Sequence, residues 1–204
     1  MSKHEIIEKN IGLMGLLVTI VVSISIFIEV GPLYSQVSVI EPIEGLEPRN
    51  ALELSGQNIY VSEGCYGCHS QQIRPFVDET LRYGHYSMAG ESVYDRPFQW
   101  GSKRTGPDLA RVGGRYSNEW HEIHLLDPRT VVPTSNMPGY PWLAETPIDI
   151  EETVASMKVL KMLGHPYTDE QIANAAASLT DKTQLDALVA YLQDLGTAMP
   201  KNYQ

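Results

Sequence analysis

The sequence predicts a mainly α-helical protein, with one N-terminal transmembrane helix followed by a helical domain. Two observations predict this class. Residues 11–28 contain no charged side chain, and several later segments repeat apolar residues at three-to-four-residue spacing between recognisable start and stop residues. The chain has 204 residues, room for one compact domain and an anchor.

The first element is the anchor. Eighteen helical residues at 1.5 Å each span about 27 Å, close to the hydrocarbon thickness of a bilayer. A cleavable signal peptide has a shorter apolar stretch ending at small residues, whereas Glu29-Val30-Gly31-Pro32 follows here. Lys3 and Lys9 precede the span and residues 31–48 contain neither Lys nor Arg, which predicts a cytoplasmic N-terminus. The expected organisation is therefore a cytoplasmic tip and membrane span over 1–30, an extended linker over 31–48 with Pro32, Pro42, Gly45 and Pro48, and an extracytoplasmic domain over 49–204.

In that domain, Leu52, Gly56, Ile59 and Tyr60 recur at helical spacing, with Gly64 placed to stop the helix. A short helix capped by Ser117 carries His121 and His124 on one face. A third spans 149–163 and ends at Gly164, with Met157 and Met162 read as core filling. The last has an apolar stripe of Leu185, Leu188, Val189, Leu192 and Leu195, opened by Asp181 and closed by Gly196. Residues 145–180 carry no legible chemistry.

Composition removes several function classes. The net charge is -10 and no basic cluster exceeds Lys103-Arg104, which excludes a nucleic-acid binder. The two cysteines lie within one five-residue window, so no disulfide framework staples distant segments.

Those cysteines carry the chemistry. Cys65-Tyr66-Gly67-Cys68-His69 has the C-x-x-C-H pattern of c-type haem attachment. Two thiols separated by two residues can each form a thioether to one porphyrin, and the adjacent imidazole then faces the iron. A zinc site needs further ligands, but the chain has no other Cys; a redox dithiol belongs at a strand-to-helix junction in a βαβ pattern that is absent. One covalent haem c is therefore the expected cofactor.

The second axial ligand comes from the remaining Met and His residues. Met137 lies in a proline-rich loop, 132–142, that can hold a thioether without a regular element. Bis-histidine ligation through His121 or His124 is the alternative, although sulfur ligation raises the reduction potential. Met88 and Met199 have no comparable constraint, and His85 and His165 read as ordinary polar residues. Arg74, Arg104, Arg111 and Arg115 can pair with haem propionates.

The helical domain resembles class I cytochromes c with insertions. In that fold the first and last helices cross at a small residue, here Gly56, beside Tyr60 and Tyr191. The stretch Thr105-Gly106-Pro107-Asp108-Leu109 is similar to the loop whose proline carbonyl accepts the proximal imidazole's Nδ1–H, so the resemblance assigns Pro107 to the cofactor site. More specifically, residues 65–76 (CYGCHSQQIRPF), 82–87 (RYGHYS), 98–109 (FQWGSKRTGPDL) and 135–143 (SNMPGYPWL) resemble the monohaem subunit of cbb3-type cytochrome c oxidase.

That resemblance implies ligation by His69 and Met137, a single-pass anchor in a bacterial inner membrane, and a periplasmic haem domain. It also implies assembly with a catalytic haem-copper subunit and a dihaem cytochrome c subunit upstream. The long insert over 70–105 and the anchor are the expected subunit contacts. The small cytochrome subunit of nitric oxide reductase shares the anchor and single motif; a quinol-oxidising complex's membrane cytochrome carries its anchor at the other end. An open-haem peroxidase is the rival of a different class.

Overall fold

The computed structural model describes residues 3–199; the expected segment ends at 1–2 and 200–204 lie outside the described residues. The chain divides between Glu41 and Pro42 into two compact units.

The first unit is helical. Helix α1 (Lys3–Lys9) leads to α2 (Ile11–Val30), where Asn10 Oδ1 accepts the Leu13 N–H at 3.0 Å. Helix α2 has no buried residue, and its 20 residues reach about 30 Å, enough to cross a bilayer. Two of its hydroxyls are satisfied within the helix: Thr19 and Ser25 each donate to the carbonyl four residues back, at 2.9 Å. That is what a lipid environment demands, because no water is available to take the bond. The segment expected as extended linker instead continues in a 3-10 turn, Gly31–Ser35, and one helical turn, α3 (Val37–Ile40).

The second unit is mainly helical, and among the described residues it has no strand beyond one isolated bridge between Pro147 and Thr183. Its helices are α4 (Ala51–Ser62), α5 (Val77–Tyr83), α6 (Asn118–Leu126), α7 (Pro128–Val131), α8 (Ile150–Met162), α9 (Asp169–Leu179) and α10 (Gln184–Asp194). Helix α4 starts with a capping box, Asn50 Oδ1 taking the Glu53 N–H at 3.1 Å and Glu53 Oε2 the Asn50 N–H at 2.9 Å. It ends at Glu63 and Gly64, the latter at φ +71.

Helices α4 and α10 cross in the core. A Cβ added to Gly56 would lie 2.0 Å from the Ala187 carbonyl oxygen and 2.6 Å from Tyr191 Cβ, so only glycine lets the two backbones meet. Tyr60 and Tyr191 pack beside the crossing with ring centroids 5.4 Å apart. Leu54, Ile59, Leu188, Val189 and Leu192 complete it, each burial worth about 1.5–3 kcal/mol. Arg49, just ahead of α4, ties the crossing to the insert: it pairs with Asp95 and with Asp194 of α10, the latter at 3.2 Å.

Three readings need correction. Helix α10 is opened by Thr183, not Asp181, because the Thr183 hydroxyl takes the Asp186 N–H at 3.2 Å in a capping box; Asp181 sits in a left-handed turn at φ 60. Met162 is 78% exposed and fills no core, whereas Met157, on the inward face of α8, is 1% exposed. His165 is buried, stacked against Tyr167 and hydrogen-bonded with Arg96 Nε at 3.3 Å. The unread 145–180 region supplies α8 and α9, which close the core over α4.

Replacing Gly56 with Ala is expected to destabilise the second unit by about 3 kcal/mol or more, at the upper end of overpacking costs. At roughly 2–4 °C per kcal/mol for a protein of this size, the Tm should fall by about 6–12 °C in thermal unfolding followed by circular dichroism.

Candidate functional site

The Cys65–Gly67 segment forms a 3-10 turn directly after Gly64, so the end of α4 delivers the motif. The Cys68 and His69 N–H groups both donate to the Cys65 carbonyl, at 3.1 and 3.0 Å. Both thiols are free, Cys65 half-buried and Cys68 exposed. Burial pushes the Cys65 thiol up to about 12, the opposite of what a thiol–disulfide exchange catalyst requires. Among the described residues no group of three or more His, Cys, Asp or Glu gathers as a metal-binding cluster, so the zinc reading lacks its ligands.

His69 is held by the loop that follows the insert. Its Nδ1 lies 2.8 Å from the Pro107 carbonyl oxygen, and a carbonyl only accepts, so Nδ1 carries the proton. Burial lowers the imidazole's pKa against the opposing pull of that hydrogen bond, which leaves a neutral ring with Nε2 free to donate a lone pair. Gly106 lies against the ring: a Cβ there would come within 2.3 Å of His69 Cε1. The absence of a side chain is therefore part of the site's shape.

Two short segments clamp this geometry. The Gly106 N–H donates to the Cys68 carbonyl at 3.0 Å and the Leu109 N–H to the Ser70 carbonyl at 2.9 Å. Asp108, with no exposed side-chain surface, accepts from Ser70 Oγ at 2.5 Å, Gln72 N–H at 3.0 Å and Ala110 N–H at 2.8 Å. Gln71 meets the Tyr191 hydroxyl of α10 at 3.0 Å. Reading the loop from sequence yielded only Pro107; Asp108 was missed, although its place beside Gly-Pro marks it as a turn residue able to take backbone donors.

The insert braces the clamp. Arg104 donates to Ser70 Oγ and the Gln72 carbonyl, both at 2.8 Å, and to Glu79 at 2.7 Å. Arg74 is exposed, its Nε 2.5 Å from Glu79 Oε1, so its guanidinium is engaged with a carboxylate. Arg111 pairs bidentately with Glu91 at 2.6 and 2.9 Å, and Arg115 covers the Tyr116 ring at 5.9 Å. An open cavity of about 760 Å³ lies along Gly106 and Pro107, bordered by Arg74, Glu79, Arg82 and Arg104. Arg82, absent from the sequence-level candidates, stacks on Tyr83 at 5.5 Å.

Met137 sits on a separate loop, half-buried against the core cluster. Its N–H donates to Ser135 Oγ at 3.2 Å. The loop is pinned to the C-terminal end of α6: the Tyr140 N–H reaches the Leu125 carbonyl at 2.8 Å, and Gly139 lies so close over the Leu126 carbonyl that a Cβ would meet it at 2.4 Å. The structure thus brings Cys65, Cys68, His69 and Pro107 together and places Arg74 at the neighbouring cavity.

A family model described as cytochrome C oxidase, mono-heme subunit/FixO, matches residues 4–184. The chain belongs to that family. No curated protein matches the chain. FixO membership makes it a mono-heme cytochrome c oxidase subunit, and the residues around the motif fit a haem: two free thiols at the right spacing, a neutral imidazole fixed through Nδ1, and a glycine cradle under the ring.

The acidic side of the FixO clamp is testable by pH. Arg104's hydrogen bond, set against burial and joined by Arg74, holds Glu79 down at about 2. A depressed carboxylate contributes stability above its ordinary pKa near 4.5, and loses it as pH falls toward 2. The Tm gap between the parent and Glu79→Gln should be widest near pH 6 and should shrink steadily from pH 5 to 3 in calorimetric scans.

Proposed function

We propose that this chain is the electron-transfer subunit of a cbb3-type haem-copper oxidase, with one haem c held by Cys65 and Cys68 and axially ligated by His69 and Met137. The observation that carries the reading is the 2.8 Å contact of His69 Nδ1 with the Pro107 carbonyl, immediately beside two free thiols. A metal-bound histidine typically donates its other ring N–H to a fixed acceptor, which orients the ring and makes it more basic. When bound, the haem supplies a one-electron iron couple.

Each residue then has a defined task. The two thiols form thioethers that prevent dissociation of the cofactor. His69 presents Nε2 while Pro107 and Gly106 fix its plane. Met137, on a loop tied to α6, supplies the thioether that favours the reduced state relative to a second imidazole. Arg74, bordering the cavity beside Pro107, is the candidate for a propionate, where Glu79 competes for its guanidinium.

If His69 and Met137 both held the iron, no position would remain for a substrate, and the subunit would only relay electrons. They arrive from a dihaem cytochrome c subunit or a soluble cytochrome c and pass to the catalytic haem-copper subunit, which reduces oxygen. The lysines at 3 and 9, ahead of a span with no basic residue over 31–48, support a cytoplasmic N-terminus and a periplasmic haem domain in a bacterial inner membrane. The FixO match favours this reading over a nitric oxide reductase subunit. An open-haem peroxidase would bind carbon monoxide when reduced; a closed iron would not.

Two outcomes test the assignment. Met137→His should keep the haem covalently attached while lowering its potential by the order of 0.1–0.3 V, within the roughly 0.8 V that axial ligands command; an unchanged potentiometric midpoint moves the ligand to His121 or His124. In Cys65→Ala at most one thioether can form, so haem staining of the denatured chain should drop sharply, and normal staining contradicts thioether attachment at that residue.

A further inference from the structure

Three rings, Tyr116 just ahead of α6 and Trp120 and His124 on it, form a near-parallel stack. Tyr116 and Trp120 have centroids 4.0 Å apart with planes 15° from parallel, and Trp120 and His124 lie 4.6 Å and 14° apart. Trp120 and His124, four residues apart, share one face of α6, and Tyr116, just ahead of the Ser117 cap, stacks on the first of them. Ser117, whose Oγ takes the Trp120 N–H at 3.2 Å, fixes the turn that aligns the first pair. His121, 3% exposed, braces the stack edge-on, at 86° to the Trp120 ring and 89° to Tyr116.

The two ends of the stack differ. Tyr116 is 39% exposed and faces solvent under the Arg115 guanidinium. His124, at the other end, is half-buried, and its Nδ1 has no hydrogen-bond partner among the described residues. Burial and the nearby His69 imidazole both hold His124 toward its neutral form. The two residues after it, Leu125 and Leu126, carry the carbonyls on which the Met137 loop is pinned. The stack therefore runs from the surface to the place where the two proposed axial ligands are held.

Aromatic pairs in cores usually meet offset or edge-to-face with centroids 4.5–7 Å apart. Here three successive rings lie within 15° of parallel at centroid distances of 4.0 and 4.6 Å, at or below the short end of that range, which leaves only short gaps between neighbouring π systems. We propose that Tyr116, Trp120 and His124 form an electron conduit, through which a one-electron donor docked at Tyr116 exchanges its electron with the haem. The inference rests on the proposed function and deepens it by naming the entry point. One electron leaves the donor's reduced metal centre and arrives at the haem iron; no bond forms or breaks, no proton moves, and the rings serve only as mediating orbitals. The competing route is the exposed edge at Cys68.

The test uses the full-length haem-loaded chain in detergent, with a ruthenium polypyridyl photoreductant attached through Glu119→Cys, an exposed position beside Tyr116. Haem reduction after a laser flash is timed in this parent and with Trp120→Leu or Trp120→Phe added. A several-fold loss of rate in Trp120→Leu, largely recovered in Trp120→Phe at unchanged haem content and midpoint potential, supports the conduit. Equal rates in all three overturn it in favour of the Cys68 edge, and a loss that Trp120→Phe does not recover overturns it as a packing effect. A parent with no covalently bound haem overturns the proposed function and the conduit together, whereas equal rates with haem present remove the conduit alone.

Discussion

The Nδ1 hydrogen bond from His69 to Pro107 is the contact on which the site depends, and most of the surrounding loop structure exists to keep it in place. Neither partner lies in an α-helix, so their relative position is set by the clamp between 68–72 and 106–109. Asp108 is central to that clamp because it is fully buried and must have its charge matched. It takes two backbone N–H donors and the Ser70 hydroxyl, and Arg104 supplies the nearby cation at 3.4 Å. Removing one partner of such a group leaves an uncompensated buried charge, typically a loss of about 3–5 kcal/mol. The loop is thus over-determined, and the imidazole inherits its rigidity.

The clamp in turn hangs from the helix crossing. Helix α4 meets α10 at Gly56 with no room for a side chain, and the motif begins nine residues later, past the left-handed turn at Gly64. The Tyr191 hydroxyl, on α10, contacts Gln71 at 3.0 Å, so the same helix that fixes the start of the motif also fixes its end. Arg49 extends this arrangement to the insert by joining Asp194 and Asp95, with Gln57 donating to Asp95 at 2.9 Å. A shift of α10 would therefore be felt at both ends of the motif.

The sequence was most readable where one residue type has one use. The stop at Gly64 and the Ser117 cap follow from local chemistry, the crossing at Gly56 follows from the resemblance to class I cytochromes c, and the structure has all three. Reading failed where tertiary packing decided. Met157 and Met162 occupy one helix and look alike, but only a view of which face α8 turns inward separates them. Asp181 and Thr183 are both good cap residues, and the reciprocal bond with Asp186 selects Thr183. At the site, the C-x-x-C-H spacing was legible in full. The Glu79–Arg104–Asp108 brace was not, because its members are 25 and 4 residues apart and meet only after the insert folds.

The insert shows why charge in a sequence is a poor guide to a binding surface. From sequence, the arginines in and just after it invite assignment to propionates or partners, but Arg74, Arg104 and Arg111 are engaged with Glu79, Asp108 and Glu91 within the same domain. Charges committed in this way stabilise loops and orient the site; they contribute little to long-range attraction, since each is neutralised at close range. Alongside exposed charges such as Asp78 and Arg82, the insert presents outward an apolar group: Phe76, Val77 and Leu81 are 57%, 73% and 82% exposed. Substitutions at Glu79 or Arg104 should therefore act through the geometry of His69, and those at Phe76, Val77 or Leu81 through the exposed surface alone, so the two classes of effect are separable within one short segment.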